Sequence, residues 1–187
     1  MSTTTHLKTI LGELTSNQRW IDDAQLDELA DAILAANHVF LSGTGRSGVA
    51  IRGFANRLVH LGFSASMVGD VTSPHTSKGD LLIVGSGSGR TESLVALGKT
   101  AQASGVSVAL VTMDADSILG RMADVVVVLP GASPKVRGEV RQVASVQPMG
   151  SAFEQITALT FDAVVLELME RTGQTSDDMF ARHADLE

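Results

Sequence analysis

Residues 80–93, with the sequence DLLIVGSGSGRTES, bring glycines and hydroxyl side chains together where an apolar strand is expected to give way to a helix. The backbone N–H groups at such a helix N-terminus attract anions, helped by the helix dipole. Glycine lets the backbone approach a ligand closely, and Ser86, Ser88 and Thr91 add uncharged donors. We therefore predict a phosphate-binding loop here. The alternative interpretation is a flexible Gly-Ser connector.

A second glycine-rich loop, SGTGRSG at residues 42–48, also follows a short apolar run. Gly43, Gly45 and Gly48 match the dinucleotide pattern G-x-G-x-x-G, and Asp70 lies about 20 residues further on, near the place of a ribose-binding acid. Taken alone, this pattern favours a nicotinamide- or flavin-dependent oxidoreductase.

Two features weaken the dinucleotide interpretation without deciding against it. Asp70 follows a glycine and is expected beyond the end of its strand, and a dinucleotide domain needs no second anion-binding loop. One phosphate and a short polyol would use both loops at once. Arg46 and Ser47 then become sugar- or phosphate-facing groups, although an arginine at a helix start is also typical of a solvated surface charge.

Glu154 is the candidate for proton transfer, and its neighbours offer a second interpretation. Ser151 and Glu154 fit the capping box S-x-x-E, in which the glutamate only satisfies the N-terminus of a helix. Spacing alone favours the cap. A first-turn glutamate is also biased towards its ionised form by the helix dipole, which suits a base. Both roles cannot be filled at once, so the geometry must decide.

His60 and His183 are the other candidates for handling protons. His60 lies towards the end of a predicted helix at 49–61, where a histidine is typically exposed or a C-cap. His183 lies in a polar tail that could reach a neighbouring active site in an oligomer. No group of His, Asp and Glu has the spacing of metal ligands, so we expect no metal.

The composition narrows the class of protein. The chain has 187 residues, 44% of them apolar and 19% charged, which fits one globular domain. A net charge of −7 makes a nucleic acid or an acidic membrane surface an unsuitable partner. The absence of cysteine rules out disulfides, thiolate zinc sites and cysteine nucleophiles. Without a signal-peptide core or a run of membrane-spanning length, we expect a cytoplasmic protein.

Hydrophobic periodicity predicts an α/β architecture. Helical spacing within residues 6–36 precedes a series of near-continuous apolar runs, which are typical of strands covered on both faces. The predicted strands are 39–41, 65–68, 81–84, 106–111 and 125–129, and the later helices are 49–61, 94–103 and 148–171. Their alternation indicates a doubly wound, five-stranded parallel sheet whose ligands lie beyond the carboxyl ends of the strands.

We expect a single domain over residues 1–187, divided into N-terminal helices (1–36), a sheet core (37–130), a connection (131–147) and a C-terminal helix with its tail (148–187). The long connection carries Lys135, Arg137 and Arg141, and a connection of this length is often a lid or an oligomer contact. The last helix is apolar on nearly all its faces, which favours deep burial in a subunit interface.

The two loops together resemble those of the sugar isomerase (SIS) domain, and many members of that superfamily share them. The segments QPMGSAFEQ at 147–155 and MFARHADLE at 179–187 are more restrictive, and FANRLVHLGFSASMVGD at 54–70 also matches. Through these segments the chain resembles, essentially end to end, the 6-phospho-3-hexuloisomerase branch of the family. The resemblance implies a flavodoxin-like three-layer α-β-α sandwich with a five-stranded parallel sheet.

The same resemblance implies an activity and a set of roles. The activity is interconversion of D-arabino-hex-3-ulose 6-phosphate and fructose 6-phosphate through a cis-enediol, in formaldehyde fixation by the ribulose monophosphate route, by a homotetramer without a cofactor. Ser47 would contact substrate, Glu154 would accept the proton, and a histidine, His60 or His183, would help to open the sugar ring. The phosphate loop would comprise Ser86, Gly87, Ser88, Gly89, Arg90 and Thr91, with Arg90 acting through its backbone only.

Three functional hypotheses remain, besides a more distant dinucleotide oxidoreductase. The first is the 3-hexulose 6-phosphate isomerase, and the second is another SIS isomerase acting on arabinose 5-phosphate or sedoheptulose 7-phosphate. The third is a non-catalytic phosphosugar sensor. Glu154 and the lack of a basic helix-turn-helix segment argue against the sensor.

Overall fold

The chain folds as strands alternating with helices, as the apolar runs predict. The computed structural model describes residues 2–136 and 143–186, so Arg137 and Arg141 of the long connection lie outside the described residues. The strands are β1 (Val39–Gly43), β2 (Ala65–Met67), β3 (Leu81–Gly85), β4 (Ser107–Thr112) and β5 (Val125–Val128). The helices are α1 (Thr3–Asn17), α2 (Asp23–Ala35), α3 (Gly45–His60), α4 (Glu92–Ala103), α5 (Ser151–Thr172) and α6 (Ser176–Phe180), with a 3₁₀ turn at Gln18–Trp20.

The five strands form one parallel sheet in the order β2-β1-β3-β4-β5. This confirms the predicted fold class. β1 and β3 pair from Val39 with Leu81 through Gly43 with Gly85, so the two strands end at the same level. After β1 the chain turns to one side of the sheet, and after β3 to the other. Such a switch point is where open α/β sheets hold their ligands.

Helix α3 begins at Gly45, four residues before the start predicted at Val49. The glycine-rich stretch that looks like a loop in the sequence is therefore the first turn of the helix. Glycine and serine are poor helix formers, so their helix propensities do not predict this first turn. The consequence is that Arg46 and Ser47 lie on a helix N-terminus and not on a connecting loop.

The sheet separates two apolar cores. On one face, side chains of β1 and β3 such as Leu41 and Ile83 pack against α1, α2, α3 and α5. On the other face, Leu82 and Val84 pack against α4, which supplies Leu94. Helices on both faces give the three-layer sandwich, and β3 is buried along its whole length between them. The rings of Phe54 and Phe161 stack 4.4 Å apart and join α3 to α5.

The C-terminal helix is buried on one side within the single chain, and its predicted burial in a subunit interface stays a prediction. Phe153, Phe161 and Leu168 lie in the core, whereas Leu159 and Leu166 are 51% and 62% exposed. The chain itself therefore leaves an apolar strip of α5 uncovered. Over the described part of the chain, no helix combines the length and apolarity that crossing a bilayer would take.

The stacked pair of aromatic rings leads to a prediction about stability. Phe161→Ala removes a ring that is only 2% exposed and leaves a cavity between α3 and α5, so the free energy of unfolding should fall by about 3–5 kcal/mol. Phe180→Ala is the matched control, because that ring is 77% exposed and its loss should cost less than about 0.5 kcal/mol. Urea unfolding of both variants measures the difference, and equal losses would contradict the packing described here.

Candidate active site

A cleft of about 550 Å³ opens at the carboxyl edge of the sheet. Its size is that of a small-molecule site. The ends of β1, β3 and β4 meet there with the start of α5. The cleft is lined by Thr44, Gly45, Arg46 and Ser47, by Gly85, Ser86, Gly87, Ser88 and Thr91, by Met113, Ser133, Pro134 and Lys135, and by Pro148, Met149, Gly150, Ser151, Phe153 and Glu154.

Three helix N-termini face this cleft, and none of them carries a side-chain cap. The N-cap residues of α3, α4 and α5 are Thr44, Thr91 and Gly150, and no side chain of theirs accepts a first-turn N–H. By contrast, α1, α2 and α6 are capped by Ser2, Asp22 and Thr175. An uncapped N-terminus presents unsatisfied N–H groups and the positive end of a dipole. The cleft is therefore built to receive an anion.

The loop after β3 is held rigidly by the neighbouring strand. Ser86 donates its N–H to the carbonyl of Val111, at 3.0 Å, and the Gly87 carbonyl accepts from the Met113 N–H at 3.0 Å and the Thr112 hydroxyl at 3.2 Å. Gly89 has φ +57°, and a Cβ there would lie 1.9 Å from the Ser117 hydroxyl oxygen. Only glycine fits at this position. The donors of the loop are thus fixed before any ligand binds, unlike those of a flexible connector.

The loop after β1 approaches β3 through its glycines. A Cβ on Gly48 would lie 2.7 Å from the carbonyl oxygen of Gly43, so the first turn of α3 packs directly on the end of β1.

Asp70, the acid of the dinucleotide interpretation, lies in the turn after β2 and contacts Arg52 at 3.5 Å. It does not line the cleft. The expected ribose contact of that interpretation is therefore missing from this site.

Glu154 extends from the first turn of α5 and binds Arg46, with 2.5 Å between its Oε2 and the arginine Nε. The capping box favoured by spacing is not formed: the N-cap is Gly150, and the Ser151 side chain accepts no first-turn N–H. The helix starts one residue earlier than the capping box requires, so Ser151 lies inside it. The ion pair across the cleft leaves Glu154 one-fifth exposed and Arg46 well exposed.

The structure brings most of the predicted site residues together. Those that line the cleft are Arg46, Ser47, Ser86, Gly87, Ser88, Thr91 and Glu154. Gly89 and Arg90 of the predicted phosphate loop do not. The Arg90 guanidinium instead binds the buried carboxylate of Asp114 at 2.9 Å.

The two candidate histidines lie at the other end of α3. Their rings stack 5.2 Å apart beside Arg57 and Phe180. His60 was expected to be exposed or a C-cap, and both expectations are wrong: it is 4% exposed, because the tail folds back over the C-terminus of α3, and it is the last residue of the helix, with Leu61 as the C-cap. Helical rise over the 14 residues between Arg46 and His60 separates them by about 20 Å. Within one chain the histidines and Glu154 therefore occupy different sites.

Lys135 is a cleft residue that sequence reasoning did not assign to the site. It follows β5 at the same edge of the sheet as the two glycine-rich loops, and this topological signal could have identified it. Together with Arg46 it gives the cleft two cations against the carboxylate of Glu154. Nowhere in residues 2–136 and 143–186 do three or more His, Asp or Glu side chains gather as metal ligands would.

Comparison with known proteins agrees with this architecture. Residues 32–159 match the SIS domain. The chain is 43% identical to a 3-hexulose-6-phosphate isomerase of Bacillus subtilis over 187 residues, the full length of both, and 37% identical to one of Mycobacterium gastri over 98% of this chain and 91% of that protein. A Methanococcus jannaschii protein, whose crystal structure inferred a molecular function of 3-hexulose-6-phosphate isomerase, is 32% identical with a TM-score of 0.81, covering 98% of this chain and 99% of that one.

The family match includes both glycine-rich loops, β1 to β5 and Glu154, and the relatives extend over the N-terminal helices and the tail. The chain therefore belongs to the SIS domain family and, within it, to the 3-hexulose-6-phosphate isomerases.

Proposed function

We propose that this protein interconverts D-arabino-hex-3-ulose 6-phosphate and fructose 6-phosphate through a cis-enediol. The observation that carries the proposal is the meeting of three uncapped helix N-termini with one carboxylate, Glu154, in a single cleft. The dipoles suit a phosphate and a developing enediolate. The carboxylate suits a proton shuttle between neighbouring carbons. The full-length similarity to named isomerases supports the same substrate.

The reaction needs a base on one face of the sugar. Glu154 removes the proton from C2, the C2–C3 enediol forms as the C3 carbonyl takes up the electrons, and the Glu154 carboxyl then delivers a proton to C3. A hydroxyl proton moves from O2 to O3, so the balance is that of an isomerisation. Arg46 holds the Glu154 carboxylate towards the cleft before substrate binds. Its guanidinium also lines the cleft, where it would stabilise charge that develops on the enediolate oxygens.

The phosphate is assigned to the N-terminus of α4. Ser86, Ser88 and Thr91 contribute hydroxyls there, and backbone N–H groups of the loop complete the cradle. Ser47, at the N-terminus of α3, faces the sugar between the phosphate and the base. Anchoring at one end of the substrate supplies the orientation that the proton transfer needs at the other. Gly89 and Arg90 contribute backbone geometry only.

The remaining expectations are proposals of the same kind. The resemblance supports a place in the ribulose monophosphate route of formaldehyde fixation, in the cytoplasm, without a cofactor. It also supports a homotetramer, and the uncovered apolar residues Val49, Leu159 and Leu166 on α3 and α5 suit a subunit contact. In such an assembly His183 would act in the cleft of another subunit, and His60, on which its ring stacks, would position it.

Removing the base should abolish turnover. We expect Glu154→Gln to lower kcat by at least about 10²-fold, since the amide cannot accept the C2 proton, while phosphosugar binding persists. The measurements are fructose 6-phosphate formation from 3-hexulose 6-phosphate, and exchange of the C2 hydrogen with deuterated water. Glu170→Gln is the control, because it makes the same change on an exposed position of α5.

A fully active Glu154→Gln enzyme would contradict the role of Glu154. Wild-type protein that binds phosphoketoses tightly and turns none of them over would indicate the sensor instead. Turnover of arabinose 5-phosphate or sedoheptulose 7-phosphate in preference to the hexulose would identify another isomerase of the family.

Removing a hydroxyl donor from the phosphate loop should weaken binding more than chemistry. Thr91→Val keeps the size of the side chain but loses one donor to a charged phosphate, so KM should rise about tenfold with little change in kcat. Thr100→Val, at an exposed position of the same helix, is the matched control. A fall in kcat at constant KM would place Thr91 at the reacting carbons and not at the phosphate.

A charge on the uncovered strip of α5 should dissociate the assembly. Leu166→Glu places a carboxylate on an apolar side chain that is 62% exposed in the single chain, and burying that charge in a subunit contact is costly. Sedimentation velocity should then report a smaller species than the wild type. Leu7→Glu, at a position 54% exposed on α1, should leave the mass unchanged. A wild-type monomer would overturn the proposed tetramer.

A further inference from the structure

We propose that Glu13, on the N-terminal helix, is a positioning residue that holds the segment leading into α5 and thereby the first turn that carries Glu154. This inference rests on the proposed function for its catalytic consequence. Glu13 lies outside residues 32–159, the part of the chain that matches the SIS domain, and it does not line the cleft. Its influence on the reaction is therefore indirect.

The Glu13 carboxylate gathers three hydrogen bonds from one short segment. Its Oε1 accepts the Val146 backbone N–H at 2.8 Å, and its Oε2 accepts the Ser145 hydroxyl at 2.8 Å and the Gln147 side-chain amide at 3.0 Å. The Ser145 hydroxyl oxygen in turn accepts the Gln147 N–H at 3.0 Å. These contacts span more than 130 positions of the sequence and fix residues 145–147 against α1.

The segment held by Glu13 runs directly into the cleft. Pro148, Met149 and Gly150 follow it and line the cleft, and the Pro148 carbonyl accepts the Ser151 N–H at 3.2 Å. Glu154 then closes the first turn of α5 by donating its N–H to the Gly150 carbonyl at 2.9 Å. This turn has no side-chain cap of its own. Its order therefore depends on the residues that precede it.

Met149 adds a reason why an external anchor is needed. It is the one non-glycine residue of the described chain with a positive φ, at 55°, and its side chain is largely exposed. A left-handed conformation costs free energy and persists where the surroundings impose it. The hydrogen bonds of Glu13 hold the residues before Met149 in place, and the packing of Phe153 into the core holds the residues after it, so together they impose the left-handed conformation of Met149.

The electrostatic state of Glu13 suits this role. Desolvation raises its pKa, but the hydrogen bonds from Val146, Gln147 and Ser145 outweigh that effect, so the pKa lies below the ordinary value of a glutamate. The carboxylate is thus ionised at neutral pH, where charge-assisted hydrogen bonds are stronger than neutral ones. Leu14 of the same helix is buried in the core, so α1 itself is fixed by packing that the carboxylate does not supply.

The test compares wild type, Glu13→Gln and Glu13→Ala in the full chain. In Glu13→Ala, the amides of Val146 and Glu154 should exchange hydrogen faster than in the wild type, without any substrate present. The value of kcat should fall about tenfold, because a small misplacement of the base is costly, while KM changes less than about twofold. KM should change little because residues of β4 and its end, and not Glu13, hold the phosphate loop. Glu13→Gln, which keeps one acceptor oxygen, should lie between the two.

Glu28→Gln is the matched control, since it removes an exposed carboxylate from α2, and it should resemble the wild type in every readout. Unchanged exchange at Val146 and Glu154 in Glu13→Ala would overturn the proposal, and so would faster exchange with an unchanged kcat. If the wild type turns over no 3-hexulose 6-phosphate, the proposed function fails. The exchange measurement still decides whether Glu13 orders the turn that bears Glu154.

Discussion

The parallel pairing of β1 with β3 is the constraint on which the whole site depends. In its register Gly43 pairs with Gly85, so both strands end at the same level of the sheet. Because β1 leads to β2 on one side of the sheet and β3 leads to β4 on the other, the two connections diverge and leave a crevice between them. The close packing of Gly48 on Gly43 keeps the first turn of α3 at the rim of that crevice. Neither loop would form a binding site without the other.

Side-chain caps are present on the helices away from the cleft and absent from those that begin at it. The helices away from the cleft satisfy their first-turn N–H groups with Ser2, Asp22 and Thr175, a contribution typically worth about 1 kcal/mol each. The three helices at the cleft omit this stabilisation together. Their N–H groups are thereby left to a ligand, and the resulting positive potential is local in a chain whose net charge is −7. A protein selected for stability alone would cap these ends.

Much of this fold follows from the sequence because its strands are short apolar runs with helices between them. The five strands and the parallel sheet were predictable on that basis, and five residues of the predicted phosphate loop and its approach, Gly85, Ser86, Gly87, Ser88 and Thr91, line the cleft. Local patterns failed where long-range contacts decide the outcome. The capping box at Ser151 and Glu154 is absent: Gly150 is the N-cap of α5, and the Glu154 carboxylate pairs with Arg46, more than a hundred residues away. His60 is buried because the C-terminal tail packs on α3, and the pattern of residues within α3 does not predict that contact.

The tail also limits what one chain can do alone. Arg182 donates to the His60 carbonyl at 3.0 Å and to the Gln174 side chain at 2.7 Å, which fixes the tail at the C-terminus of α3. The length of α3 then keeps His60, whose ring stacks on that of His183, about 20 Å from Arg46. A histidine cannot transfer a proton over that distance. Within a single subunit, the proposed proton transfer therefore rests on Glu154, and a contribution of the histidine pair to that cleft requires a second copy of the chain.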